Sequence, residues 1–293
     1  MNKNIWYYWI LAARPKTLTA SVAPVLIGTV MAYKAGSVHI FITAITLLAA
    51  LAIQIGTNFA NDYFDFKNGA DTIDRLGPAR MTQNGFIKPH QMRNAFVLSF
   101  AIAVILGFLL LLRGEWPIFW IGIFSIICGI LYTGGPYPFG YHGFGDILVL
   151  IFFGPVAVGG TYYLQTLNIN FNVILVGFAP GLISTAILAI NNLRDVKSDS
   201  SSGKHTLAVI YGVKFVKKEF FYCISIACLI PIILLILNFS HGSLLIVSVI
   251  SYLYAIPLFY RVKNGPIDRS LNRVLAATSL LLIIYTVLFV FCW

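Results

Sequence analysis

The sequence predicts an all-α integral membrane protein in which residues 1–293 form a single membrane-embedded domain. Composition is the first reason: of 293 residues, 59% are hydrophobic and only 10% charged, against about 25% charged in an ordinary soluble domain. Mean hydropathy is +0.85. Length is the second: nine apolar runs reach or approach the roughly 20 residues a helix needs to cross about 30 Å of hydrocarbon. The third is the placement of charge. With the amino terminus inside, 18 of the 20 Lys and Arg residues lie on the inner side, leaving Lys34 and Arg113 outside, as the positive-inside rule requires. An odd number of crossings then puts the carboxyl terminus outside.

The elements follow in chain order. Residues 5–13 carry Trp6, Tyr7, Tyr8 and Trp9 ahead of Arg14-Pro15-Lys16, which predicts a short interfacial helix and not a signal peptide. The nine transmembrane helices are predicted at 17–34, 39–61, 94–112, 116–133, 146–164, 172–191, 219–239, 243–260 and 273–292. Their runs are continuously apolar, not alternating, so a β-barrel is excluded. Outer loops are short. Two inner ones, at about 62–93 and 192–218, are long, and a third, 134–145, is rich in Gly, Pro and Tyr. Long connections in compact proteins ordinarily carry function or lack order. Pro24, Pro155, Pro180, Pro231 and Pro257 fall inside the spans. Each can kink its helix and help to open an internal cavity, or be a tolerated kink with no pocket.

A net charge of +10 would suggest nucleic acid in a soluble protein. Here membrane orientation accounts for it, and no nucleic-acid partner is expected. Cys128, Cys223, Cys228 and Cys292 lie in apolar segments without a CxxC pair and read as packing residues. The five histidines show no metal-ligand spacing; His142, in the 134–145 loop, shares a side with the acids described next. Ser202-Gly203-Lys204-His205-Thr206 lacks the upstream glycine and preceding strand of a phosphate loop.

Six of the ten acidic residues fall in two short stretches. In the first, Asn58, Asp62 and Asp65 are spaced by four and three, and Asp71 and Asp74 follow. In the second, Asn191, Asp195 and Asp199 are spaced by four and four. Either spacing gathers its members on one helix face. The sets are offset by 133 or 134 residues, a sign of an old internal duplication. Both end spans that run inward, so the negative ends of two helix dipoles add to their attraction for cations. One such Asp alone would read as a solvated helix end; two matched sets in a charge-poor membrane protein read as function. Facing carboxylates suit Mg²⁺, which commonly bridges to substrate phosphates. Lys67, Arg75, Arg80, Arg194, Lys197 and Lys204 stand near to grip phosphate charge. The combination points to a diphosphate substrate.

Several blocks in order resemble bacterial 1,4-dihydroxy-2-naphthoate polyprenyltransferases of the UbiA superfamily of intramembrane prenyltransferases. They are Arg14-Pro15-Lys16-Thr17-Leu18 with Ala23-Pro24-Val25-Leu26-Ile27-Gly28; Asn61-Asp62-Tyr63-Phe64-Asp65-Phe66-Lys67-Asn68-Gly69-Ala70-Asp71-Thr72; and Gly77-Pro78-Ala79-Arg80 with Thr82-Gln83-Asn84-Gly85. Tyr132-Thr133-Gly134-Gly135-Pro136 and Asn191-Asn192-Leu193-Arg194-Asp195 continue the match. The resemblance implies nine transmembrane helices around a central cavity. It also implies two motifs, Asn58/Asp62/Asp65 and Asn191/Asp195/Asp199, that bind Mg²⁺ and the polyprenyl diphosphate. The superfamily's third Asp, four residues after Asp65, is Gly69 here; Asp71 comes two residues later, as in the naphthoate branch.

The implied reaction is Mg²⁺-dependent transfer of the prenyl group to 1,4-dihydroxy-2-naphthoate with decarboxylation, giving demethylmenaquinone in a bacterial cytoplasmic membrane. Asp62, Asp65, Asp195 and Asp199 are the expected metal and catalytic carboxylates. Asn58, Asn191, Lys67, Arg194 and Lys204 are expected at the donor, and Asp71 among the substrate-binding residues. Arg14, Lys16 or Arg80 would meet the naphthoate carboxylate, and Tyr63, Phe64, Tyr132 and Tyr137 are aromatic candidates to face a prenyl cation. Alternatives are another aromatic acceptor, such as 4-hydroxybenzoate, or an ion-coupled anion carrier with the Asp sets as its coupling site.

Overall fold

The computed structural model describes residues 4–70, 76–239 and 242–293. Its elements, in order, are α1 (Ile5–Ala13), α2 (Pro15–Lys34), α3 (Ile40–Lys67), α4 (Pro89–Leu131), α5 (Gly145–Ile151), α6 (Ala157–Thr166), α7 (Phe171–Ser201), α8 (Leu207–Ile210), α9 (Val213–Ile236), α10 (Leu244–Asn264) and α11 (Leu271–Cys292). No strand occurs among the described residues. Eight helices there are long and apolar enough to cross a membrane: α2, α3, α4, α5–α6 counted as one, α7, α9, α10 and α11.

The 43 residues of α4 would make a rod of about 65 Å, twice the thickness of a hydrocarbon core. They do not. Glu115 adopts φ 48° and ψ −148°, with Pro117 two residues on. A Cβ on Gly129 would lie 3.6 Å from the Phe100 ring, whereas in a continuous helix these residues would sit about 44 Å apart. Thus α4 folds back on itself at Glu115, and its arms correspond to the separate runs 94–112 and 116–133.

Between α5 and α6, residues Phe152–Val156 wind as a π-helical turn around Gly154 and Pro155. This broken helix packs backbone to backbone on α7: a Cβ on Gly177 would fall 2.7 Å from Pro155 Cα, and one on Gly181 would collide with the Leu150 carbonyl. In lipid, with no hydrophobic drive between helices, such close approach through small residues holds spans together. α7 is the most enclosed span, with 72% of its apolar window buried, against 22% for α3 and α4. Its buried Val176, Ala179 and Ile183 share one apolar core with residues of α2, α9, α10 and α11, so α7 forms the spine on which the second acidic set is mounted.

Both acid-bearing helices outrun their apolar segments. α3 continues to Lys67 and α7 to Ser201, so the stretches expected as the starts of loops are helical. Both end alike. Gly69 (φ 64°) and Gly203 (φ 73°) are left-handed residues just past the helix ends. The N–H of Ala70 returns to the carbonyl of Asp65, and that of Lys204 to Asp199, each at 2.9 Å. The motif caps otherwise unpaired carbonyls. The 134-residue offset extends to these caps, and the left-handed backbone at each accounts for the glycine there.

At the other end of the molecule Arg113 donates to the carbonyls of Leu164 (2.7 Å) and Gln165 (2.9 Å), capping α6 with a cation where its dipole is negative.

Candidate active site

The two acidic helix ends open on one cavity of about 480 Å³, within the range of small-ligand pockets. At one end its wall is polar: Asn58, Asn61 and Asp65 from α3, Asn191, Asn192, Asp195 and Asp199 from α7. Loops supply Arg80, Tyr141, Lys204 and Thr206, and the α1–α2 corner supplies Arg14. The remainder is mostly apolar, formed by α4, the α5–α6 helix, α7 and the inner faces of α2 and α3, with Ser21, Gln54, Thr57 and Ser184 as polar side chains among them.

Asp65 is the centre of the polar end. One oxygen accepts from Lys204 Nζ at 2.9 Å and from the Tyr141 hydroxyl at 2.7 Å; the other is ion-paired with Arg80. The carboxylate is only 1% exposed, and two adjacent cations compensate its desolvation. Lys204 also sits 4.7 Å above the Tyr141 ring, a cation–π contact. The loops are zipped together, since His205 N donates to Tyr141 O at 2.8 Å.

Asp195 is held by Arg194 in a two-pronged contact, Nε at 2.8 Å and Nη2 at 2.6 Å. The same guanidinium reaches Asn191 (2.6 Å) and Asn272 of α11 (2.8 Å). Arg194 is absent from the cavity wall. The sequence reading put it on phosphate; the structure uses its planar fork to orient Asp195 and Asn191.

Asp62 also departs from expectation. Its oxygens accept the backbone N–H groups of Met81 (3.1 Å) and Thr82 (3.0 Å), and it does not line the cavity. Charge-assisted bonds of this kind are strong, and they fasten the loop that presents Arg80. Asn58 gives its amide nitrogen to Ala13 O (2.9 Å) and Thr17 Oγ1 (3.1 Å), stapling the α1–α2 corner and leaving its carbonyl oxygen for the cavity.

Tyr132 lines the cavity as expected. Tyr137 is 51% exposed and stacks on His142 at 3.7 Å, outside the wall. Lys16 and Lys67 are exposed. Tyr63 and Phe64 pack against Phe96 of α4 and not into the cavity. Asp71 lies outside the described residues. Sequence reasoning missed Tyr141, Asn61 and Thr133, the last two joined by a 2.8 Å hydrogen bond; the only signal was the Gly/Pro/Tyr-rich loop that carries Tyr141.

Carboxylates and amide oxygens are the hard donors that Mg²⁺ takes. Asp65, Asp195 and Asp199 with the Asn58, Asn61 and Asn191 amides therefore fit that ion chemically. Among the described residues no three acidic, His or Cys side chains form a ready-made metal cluster. Diphosphate oxygens would complete the coordination.

The sequence pattern of the UbiA prenyltransferase family matches residues 21–280. The chain belongs to that family. It is similar to the 1,4-dihydroxy-2-naphthoate octaprenyltransferase of Haemophilus influenzae, at 35% identity across 99% of this chain and 96% of that one. The Escherichia coli protein of the same name is 40% identical over 70% of this chain and 68% of its own. Among solved structures, a UbiA homolog from Archaeoglobus fulgidus bound to GPP and Mg²⁺ superposes with a TM-score of 0.71, 13% identity, and 96% and 98% coverage of this chain and that one. This UbiA-family protein is a multi-pass membrane enzyme, an aromatic prenyltransferase, and the carrier alternative falls away.

Proposed function

We propose that this enzyme transfers a polyprenyl group from its diphosphate to 1,4-dihydroxy-2-naphthoate, with loss of the ring carboxylate, to give demethylmenaquinol, the reduced form of demethylmenaquinone. The observation that carries the reading is the two-ended cavity, in which the Asp65–Lys204–Arg80 cluster and the Asp195/Asp199 face sit at the mouth of an apolar chamber. That is the shape of a diphosphate joined to a hydrocarbon tail. The acceptor is inferred from the names of the relatives.

Arg80 and Lys204 grip the diphosphate, while Asp65, Asp195 and Asp199 face the metal. When bound, Mg²⁺ neutralises the charge that accumulates on the leaving diphosphate. The C–O electron pair departs with the diphosphate, and the Tyr132 ring, on the cavity wall, stabilises the allylic cation. Arg14 pairs with the naphthoate carboxylate. The ring's electron pair forms the new C–C bond at the carboxylated carbon, and the C–CO₂⁻ pair returns to the ring as CO₂ leaves. Apolar walls keep water from the cation. Exposed Lys16 and Lys67 attract the anionic substrates at long range. Asp62 serves by fixing the Arg80 loop.

In the same reading the two arms of α4 are two crossings, making nine. The amino terminus and the acidic helix ends then face the cytoplasm of a bacterial inner membrane, supported by the inner placement of 18 basic residues.

The test is purified protein in detergent with Mg²⁺, a polyprenyl diphosphate and 1,4-dihydroxy-2-naphthoate, the lipid product followed by mass spectrometry, and 4-hydroxybenzoate in parallel. A prenylated, decarboxylated naphthoquinol is expected. Prenylated 4-hydroxybenzoate alone would overturn the acceptor.

A further inference from the structure

We propose that Gly107 and Gly122 set the length of prenyl tail that the cavity accepts. The inference rests on the donor reading above.

Neighbouring glycines have a packing reason. A Cβ on Gly129 would lie 2.5 Å from Thr57 Oγ1, and one on Gly56 would lie 3.0 Å from the Phe100 ring; on Gly114 it would collide with Ile118. Gly107 and Gly122 have none. A Cβ built on either meets no atom within 4 Å, and neither has a positive φ. Glycine inside a helix weakens it relative to alanine, so neither backbone conformation nor close packing accounts for these two. Both line the cavity. They stand eight residues before and seven after the break at Glu115, at matching depth on the two arms of α4. Thr133, at the polar end, is eleven residues from Gly122, about 16 Å along a helix. A tail that starts at the diphosphate and runs down the apolar chamber reaches the glycines after its first few isoprene units. The absent side chains leave the bore open there for a longer tail to pass.

The experiment compares wild type with Gly107→Leu and Gly122→Leu. In Mg²⁺ and without acceptor, apparent Kd values for geranyl and all-trans-octaprenyl diphosphate are taken from the concentration dependence of thermal stabilisation. The ratio of the octaprenyl Kd to the geranyl Kd is expected to rise about tenfold in each Leu variant. Gly107→Ala and Gly122→Ala should shift it less, in the same direction; they carry the test if a Leu variant fails to fold. A ratio within about twofold of wild type in the folded variants, with wild type stabilised by both diphosphates, would overturn this inference alone. Wild type stabilised by neither would overturn the donor reading and the inference with it.

Discussion

Lys204 and Asp65 meet at 2.9 Å in a buried pair, although 139 residues separate them in the chain. The contact joins the end of α3 to the loop that Gly203 turns back from α7, bringing the two acidic helix ends together over one cavity. Either side chain alone would be a costly buried charge. Together with Arg80 they form a polar end on which a second charged group, a diphosphate, can be exchanged for an internal partner.

Lys204→Met and Asp65→Asn should each lower kcat/KM for the prenyl diphosphate by about 10²–10³. The double variant should lose less than the product of the two, because both act on one cluster. Asp65→Asn also leaves Lys204 and Arg80 without their shared counter-charge. Removing one partner of a buried pair costs about 3–5 kcal/mol, so its melting temperature should fall. Multiplicative losses in the double variant would show that the residues work separately.

Tyr141 acts on this pair twice, through its hydroxyl on Asp65 and its ring beneath Lys204. Tyr141→Phe keeps the ring and should cost about tenfold in turnover, the worth of one charge-assisted hydrogen bond. Tyr141→Leu should cost more, with a raised KM for the diphosphate as Lys204 loses its seat. Equal losses would deny the ring a role.

Much of this was legible in the sequence, for identifiable reasons. The spacing of Asn58, Asp62 and Asp65 shows a shared helix face, and the two apolar runs around Glu115 show the α4 hairpin. What spacing does not encode is which way a side chain turns once a distant loop arrives. Asp62 is claimed by the amides of Met81 and Thr82, and Arg194 by Asp195, Asn191 and Asn272; both partner sets include long-range or competing contacts. Hydropathy likewise stops at the end of an apolar run, so it missed the helical turns that continue α3 and α7 into the polar end.

Arg194 positions Asp195 without lining the cavity, and that role has its own signature. Arg194→Lys keeps the charge and loses the fork. Turnover should fall, and the Mg²⁺ concentration for half-maximal rate should rise about 10–100-fold, the usual cost of losing a group that orients a metal ligand. Because the loss lies in orientation, saturating Mg²⁺ should restore much of the rate. A lower rate with an unchanged Mg²⁺ requirement would remove Asp195 from the metal site. EDTA should silence wild type and variant alike.

Asp62 separates an anchoring role from a ligand role most sharply. As an anchor it supplies two acceptors to two backbone amides. Asp62→Asn retains one acceptor oxygen, so the Arg80 loop should stay seated, turnover should fall only about tenfold, and the Mg²⁺ requirement should not move. Asp62→Ala strands both amides, at about 1–3 kcal/mol each. The loop should then loosen, trypsin should cut after Arg80, and turnover should be lost with the seating of Arg80. Were Asp62 a metal ligand instead, Asp62→Asn would raise the Mg²⁺ requirement while the loop stayed protected. Proteolysis and a Mg²⁺ titration on the same two variants therefore decide between the roles, and the bonds to Met81 and Thr82 favour the anchor.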